Sequence, residues 1–463
     1  MTLSLEDLLA IGHRRTGNLG LLGGRKFSGV STDSRSIARG NLFIALRGGK
    51  FDGSAFVPDA FARGALCAVV DRRSRVGPFR DKPYVVVDDT VKALGDLALV
   101  HRRKFSIPIV AIAGSNGKTT TKEMTAAVLG TQYRVLRTPE NLNNHIGVPQ
   151  TLLRLNRSHE IAVIEIGTNH FGEIAALCRI LEPTHGLMTN IGREHLEFFG
   201  TVSGVARAEG ELFRFLDGSG TAFVNADDRR ISSMAKRLVR TRISYGSGAE
   251  CDVRSGPVSM GAGGCASFPV SSRTTGTFTV RLSVPGKASA RNALAAASVG
   301  LVFGISPENV RKGLKTFTPV GKRMEVFRIA GVTIVNDTYN ANPDSMIAAL
   351  DTIGSMKTRG RKLAVLADML EMGNQSRGEH RKLGRAVGSF GVQHLLTYGA
   401  QAAEISRFAA VPWKRHYEDK AVLVNDLADL AGPGDIVLVK GSRGMRMEDV
   451  VNSLSTHLEE RMP

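Results

Sequence analysis

The stretch IVAIAGSNGKTTT, Ile109 to Thr121, decides how the rest of this 463-residue chain is read. Ile109 to Ala113 is an unbroken apolar run, the habit of a parallel strand buried on both faces. Gly114, Ser115, Asn116 and Gly117 then form a turn of small residues, and Lys118, Thr119 and Thr120 open a helix. That is the build of a phosphate cradle. Small residues let the backbone approach an anion, the helix N-terminus adds partial positive charge, Lys118 supplies a point charge, and the Thr119 hydroxyl is a ligand for Mg2+. The generic P-loop has a glycine where this chain has Ile112, so the pattern is a variant. The expectation is nucleotide binding.

Composition sets the class. A chain of this length exceeds one ordinary core and predicts about three domains. Hydrophobic residues at 42%, charged residues at 22% and 51 glycines describe a loop-rich α/β protein. No run of about 18 uncharged apolar residues could span a bilayer. MTLSLEDLLA lacks the basic start of a secretory signal, and Cys67, Cys178, Cys251 and Cys265 are scattered without metal or disulfide spacing. A cytoplasmic enzyme with reduced thiols is expected. The net charge of +18 favours polyanionic partners, but the basic residues are spread and Trp occurs once. Nucleic-acid binding is therefore not expected as the main role.

Residues 1–95 read as a small α/β domain in which Ser31, Thr32, Asp33, Ser34 and Arg35 form either a loop for a phosphate or sugar, or a capped turn. Residues 96–318 alternate strand and helix as a parallel-sheet ATPase domain does. Within them the amide-rich run Pro139 to His145, with Asn143 and Asn144, is suited to a polar ligand or to capping. The apolar run Ile161 to Ile166 reads as a buried strand carrying Glu165 near its C-terminal end, where P-loop folds hold magnesium; the metal role is preferred to that of a paired core carboxylate. His195 follows another strand and is either a metal or phosphate ligand or a satisfied surface side chain. Ser255 to Gly276, rich in Gly and Ser, reads as a flexible excursion between hairpin strands. Residues 319–463 predict a Rossmann-like third domain with strands at Thr333–Asn336, Lys362–Leu366, His394–Tyr398 and Ile436–Lys440, their polar ends aimed at one crevice. No GxGxxG fingerprint supports NAD or FAD.

Six ordered segments, GSNGKTTTKE, ENLNNHIGVPQTLL, IEIGTNHFGEI, NDTYNANPDSM, ADMLEMG and VKGSRGMRMEDVV, resemble the motifs of the Mur ligases. STDSR and FDGSAF are similar to the family's UDP-sugar-binding part. DTYNANP and KGSRGMRME are most like the member that adds D-alanyl-D-alanine to UDP-N-acetylmuramoyl-tripeptide. The resemblance implies an ATP-dependent amide ligase of cytoplasmic peptidoglycan precursor synthesis, monomeric and without membrane insertion, in which an acyl phosphate is captured by the D-Ala-D-Ala amine. It assigns one Mg2+ to Thr119 and Glu165 and a second to His195, with Asn292, Arg323 and Asp337 on the nucleotide. Ser31, Asp33, Ser34, Arg35, Asn143, Asn144, Thr168, Tyr339, Asn340 and Asn342 fall on the substrate side. It also implies closure of the third domain by a hinge at about residue 318, which would exclude water.

The chain departs from the family at two places. Many Mur ligases carry a carbamylated lysine where this chain has Glu209, whose arm is shorter by roughly 3 to 4 Å. Glu209 is expected to substitute for that carboxylate at the second magnesium, directly or through water; the alternative is a solvated helix residue. In PGKASARNALAA, Ala288 and Ser289 stand where the family has a His-Asn pair, leaving Asn292 alone on the adenine side. Two other classes stand beside the muramoyl-peptide ligase: another Mur-type or folylpolyglutamate-type ligase, and a basic P-loop protein acting on nucleic acid.

Overall fold

The computed structural model describes residues 3–49, 52–216, 218 and 220–461, so Phe51 of the FDGSAF segment lies outside the described residues. The chain divides into two compact units. One runs through Ala111 and takes in Tyr133–Thr168 and Gly172–His185; the other comprises Ile112–Gln132, Asn169–Phe171 and Gly186–Pro463. Three mostly parallel α/β layers are built within them, as alternation of apolar runs and amphipathic helices requires.

In the first unit, the strands Gly29–Ser31, Asn41–Ile44, Cys67–Asp71 and Tyr84–Val87 pair in parallel, with Arg15–Gly17 added antiparallel at the edge. The helix Thr90–Arg102 follows, capped by the Asp89 carboxylate on the amides of Val91 and Lys92. It continues through residue 95, so the chain makes no break at that expected boundary. The strand Ile161–Glu165 lies between Val135–Arg137 and the start of Ile109–Ala113.

The second unit carries a sheet in which His185–Met188, Thr221–Asn225, Thr241–Gly246 and Val253–Ser255 are neighbours in that order. The expected excursion at Ser255–Gly276 is instead regular structure. Cys265–Ser272 is a strand that pairs antiparallel with Val253–Ser255, Ser259–Met260 and Gly276–Pro285. Ala266, Phe268 and Val270 face the core from alternate positions, and Ser267 and Pro269 between them, with Ser271 and Ser272 beyond, hide that period behind the composition of a loop. A third sheet orders Glu325–Ile329, Val332–Asp337, Ile436–Lys440, Lys362–Ala367, His394–Tyr398 and Trp413–Tyr417. Only its first strand runs antiparallel. The four expected strands are present. The two further ones lie at the sheet's edges, where charged residues such as Lys414 and Arg415 suit an exposed strand and mask it as a loop.

The helix Lys118–Leu129, which begins at the phosphate loop, is held by Lys287–Val302 and Pro307–Thr316. Two glycines allow the approach. A Cβ on Gly300 would lie 2.4 Å from Val128 Cγ1, and one on Gly313 would lie 2.7 Å from both the Ala127 carbonyl oxygen and Val128 Cα. The second neighbour is backbone and cannot swing aside. Gly313→Ala is therefore expected to lower stability by about 1–3 kcal/mol, the usual cost of overpacking. Urea denaturation followed by circular dichroism measures it, and an unchanged midpoint would mean the helices tolerate the added methyl.

Candidate active site

Gly114 adopts φ +111°, and a Cβ there would meet Thr189 Oγ1 at 2.5 Å. Only glycine brings the phosphate loop so close to the loop after Met188. Asn190 then fastens the two together. Its carbonyl accepts the Ser115 N–H (2.8 Å), its Oδ1 accepts the Asn116 N–H (3.1 Å), and its Nδ2 donates to the Asn116 carbonyl (2.8 Å). The Gly192 N–H adds a bond to Ser115 Oγ (2.8 Å). The Gly114 N–H donates to Glu209 Oε2 at 2.7 Å. The amides of Gly114, Ser115 and Asn116 are thus committed to the protein, which leaves the helix start at Gly117, Lys118, Thr119 and Thr120 as the candidate for anion binding. Asn292 sits against Gly117, its Oδ1 2.6 Å from where a Cβ would be.

Lys118 Nζ donates to the Gly114 carbonyl at 2.5 Å and lies 3.5 Å from Glu194 Oε2. Its ammonium therefore rests on the loop's own oxygen beside a carboxylate. Glu209, on the helix Val202–Glu209, is fully buried rather than solvated. Burial, with the neighbouring Glu194 carboxylate, pushes its pKa up to about 7 against the attraction of Lys118. Glu209 Oε1 and Glu194 Oε1 are buried oxygens without a hydrogen-bond partner, and so is Thr119 Oγ1. Orphaned hard oxygens in one unit, next to a lysine, are what a polyphosphate with a divalent cation would satisfy.

His195 has left-handed backbone (φ +46°). Its Nδ1 lies 2.5 Å from Glu371 Oε2 and its Nε2 4.0 Å from Glu194 Oε2. The bond from His195 holds the Glu371 carboxyl below the usual range. Residues from the third sheet thus reach the phosphate loop within the same unit. Asn342 caps the helix Pro343–Ser355, and its Nδ2 donates to Asn116 Oδ1 at 2.9 Å. Arg193 forks onto Asp344 (2.5 Å) and Glu379 (2.6 Å). Asp337 pairs with Lys440 at 2.6 Å, and Lys440 also donates to the Asn340 carbonyl. Tyr339 lies beneath Arg323, whose guanidinium carbon is 3.6 Å from the ring centroid.

In the first unit, Glu165 is buried at its strand end. Its Oε1 accepts from Asn143 Nδ2 (2.7 Å) and its Oε2 has no partner. Asn144 Oδ1 accepts the amides of Ile146 and Gly147, so its side chain holds the turn that leads into the helix Gly147–Leu152. Thr168 donates to Glu173 at 3.1 Å. Asp33 caps the short turn Ser34–Ser36 and binds Arg35 at 2.8 Å, which draws its carboxyl down to about 2; Ser31 Oγ bonds the Asp33 carbonyl. The capped-turn reading describes this segment as it stands, with the Arg35 side chain exposed.

Arg193, Glu194, Asn190, Asp344, Glu371 and Glu379 carry much of the geometry, yet sequence reasoning gave them no role. Their only signal was adjacency to His195 and to the polar strand ends.

Comparison with known proteins defines the family. Residues 26–103 match the Mur ligase family catalytic domain, 112–300 the Mur ligase middle domain, and 322–443 the Mur ligase glutamate ligase domain. The chain belongs to the Mur ligase family. It is 37% identical to the UDP-N-acetylmuramoyl-tripeptide–D-alanyl-D-alanine ligase of Bacillus subtilis, over 92% of this chain and 93% of that protein. It is 36% identical to the Escherichia coli protein of that name, with the same coverage. The crystal structure of MurF from Acinetobacter baumannii superposes with a TM-score of 0.88 at 30% identity, covering 98% of this chain and 99% of that one. MurF from Thermotoga maritima in complex with ADP gives 0.82 at 28% identity, covering 94% and 98%.

Two measurements test the geometry. Arg193→Ala is expected to lower kcat/KM by about 10- to 100-fold, the weight of hydrogen bonds to charged partners; steady-state kinetics with an unchanged value would make the fork incidental. His380 is buried, with Nδ1 on the Ser376 carbonyl (2.7 Å) and Nε2 accepting the Met369 N–H (3.0 Å), which fixes a neutral tautomer. Burial lowers its pKa below the ordinary 6.5 in spite of the Ser376 bond and nearby carboxylates. The folded state then binds fewer protons than the unfolded chain, so this stability is complete above pH 6.5 and declines as pH falls through it. Thermal melting against pH should show a shallower acid slope for His380→Gln than for the parent, and equal slopes would contradict the assignment.

Proposed function

We propose that the chain joins D-alanyl-D-alanine to UDP-N-acetylmuramoyl-tripeptide with ATP, in cytoplasmic synthesis of the peptidoglycan precursor, acting as a monomer. The observation that carries this reading is the meeting of Asn342 with Asn116 and of Glu371 with His195. The DTYNANP segment thereby meets the phosphate loop, and ADMLEMG meets His195.

The chemistry follows from what a carboxylate lacks. It is a poor electrophile until one oxygen becomes a good leaving group, and its approach to the γ-phosphate brings two anions together. A carboxylate oxygen of the tripeptide attacks the γ-phosphorus and ADP departs. The D-Ala-D-Ala amine then attacks the carbonyl carbon, loses a proton, and phosphate leaves as the amide forms. Lys118 moves from the Gly114 carbonyl onto the phosphates and offsets their charge. The family resemblance makes Thr119 and Glu165 our candidate Mg2+ ligands, and within its own unit each carries an unpartnered buried oxygen; His195 with the free oxygen of Glu209 are the candidates for a second ion. Bound there, magnesium would neutralise developing phosphoryl charge.

Asn292 is assigned to adenine, and Arg323 and Asp337 to ribose or phosphates. Tyr339 and Asn340 are assigned to the dipeptide, and Ser31, Asp33, Ser34, Arg35, Asn143, Asn144 and Thr168 to the UDP-linked substrate. A hinge at about residue 318 would let the third domain close and keep water from the acyl phosphate.

Phosphate release from ATP is expected only when both D-Ala-D-Ala and the UDP-muramoyl tripeptide are present; turnover driven by another amino acid or by polynucleotide would overturn the reading. Lys118→Ala should lower kcat about 10²- to 10³-fold, the scale of losing one preorganised charge partner. Because Glu209 already supplies a carboxylate, activity should be indifferent to bicarbonate, whereas Glu209→Gln should lose about 10- to 100-fold. Strong CO2 dependence surviving that substitution would end the role given to Glu209.

A further inference from the structure

The segment Arg229–Arg242, RRISSMAKRLVRTR, contains six basic residues and no acidic one. Its first ten residues form the helix Arg229–Leu238, which buries Ile231, Met234 and Ala235. At about 100° per residue, Arg229, Arg230, Ser233, Lys236 and Arg237 fall within one arc of roughly 120° on the opposite side. Every one of these is exposed, as are Arg240 and Arg242 just beyond. Among the described residues, Arg229, Arg230, Lys236, Arg237 and Arg240 have no side-chain hydrogen bond or ion pair.

The nearest acids in sequence do not neutralise this face. Asp228 caps the helix on the amides of Arg230 and Ile231 and accepts the Ile191 N–H, while Asp227 accepts from Ser247. Arg242 turns one nitrogen onto the Ala235 and Val239 carbonyls at the helix end. The helix Glu211–Phe215, which packs against this one, adds an exposed Arg214 and Phe215 at 37% exposure.

We propose that this face docks the protein on a bilayer rich in anionic phospholipid headgroups, through charge complementarity and without insertion. Guanidinium groups pair with headgroup phosphates, and a solvated row of cations is drawn to a negative surface potential. The apolar side of the helix is already used inside the protein, so contact stays at headgroup level, with Phe215 able to touch the interface beside the charges. A polynucleotide fits less well, because only serine separates the cations and there is no row of rings on which successive bases could stack. Nothing in this face belongs to the ligase machinery.

Co-sedimentation of the full chain with vesicles tests it, using phosphatidylcholine alone and phosphatidylcholine mixed equally with phosphatidylglycerol. Binding should require the anionic lipid and weaken as salt is raised. The variant R230S/K236S/R237S should lose about a hundredfold in vesicle affinity, at the usual weight of each basic residue near such a surface. Its ligase turnover in solution should be unchanged. R230K/R237K, which keeps the charge, should bind like the parent. Sedimentation with neither vesicle, equal sedimentation with both, or undiminished binding by the serine variant would overturn the proposal. So would release from anionic vesicles by a single-stranded oligonucleotide at concentrations where the lipid itself is in excess.

Discussion

A loop that must wrap a triphosphate has to hold an open curve when no anion is present, and here Asn190 holds it. One residue pairs with Ser115 and Asn116 through both its backbone and its side-chain amide, much as a neighbouring strand would. Glu209 anchors the loop's first amide from beneath. The position of Lys118 follows from this frame, since its ammonium can only reach the Gly114 carbonyl and Glu194 from the helix start that the loop defines. The contact with Asn342 depends on it too, because Asn116 Oδ1 is presented by a backbone already fixed on Asn190.

What could be read from the chain beforehand was what depends on near neighbours. An apolar run followed by small residues and GKT is local, and so are the strands that end in polar clusters. The structure places these where spacing predicted, and it keeps Glu165 at a strand end with an oxygen to spare. Asn144 behaves as the turn preferences of asparagine would have it, accepting the amides of the turn that follows, whereas its neighbour Asn143 turns inward to Glu165. No local rule separates those two; the burial of the strand does.

The remainder was hidden for physical reasons. Arg193 finds Asp344 and Glu379 across separations of 151 and 186 residues, and the pairing of charges over such distances has no signature in composition. Cys265–Ser272 was masked because Ser267, Pro269, Ser271 and Ser272 give it the composition of a loop, although Ala266, Phe268 and Val270 at the alternate positions pack a core. His380 gave no signal either. Its role as acceptor for the Met369 amide exists only because burial forbids its charge.

The committed amides of Gly114, Ser115 and Asn116 bear on how nucleotide binding should behave thermodynamically. Conformational freedom that a floppy loop would surrender on meeting its ligand has been surrendered here during folding. Calorimetry of nucleotide association should then show a small ordering entropy from this segment, and differences in residence time among nucleotides should trace to the groups that still have to move.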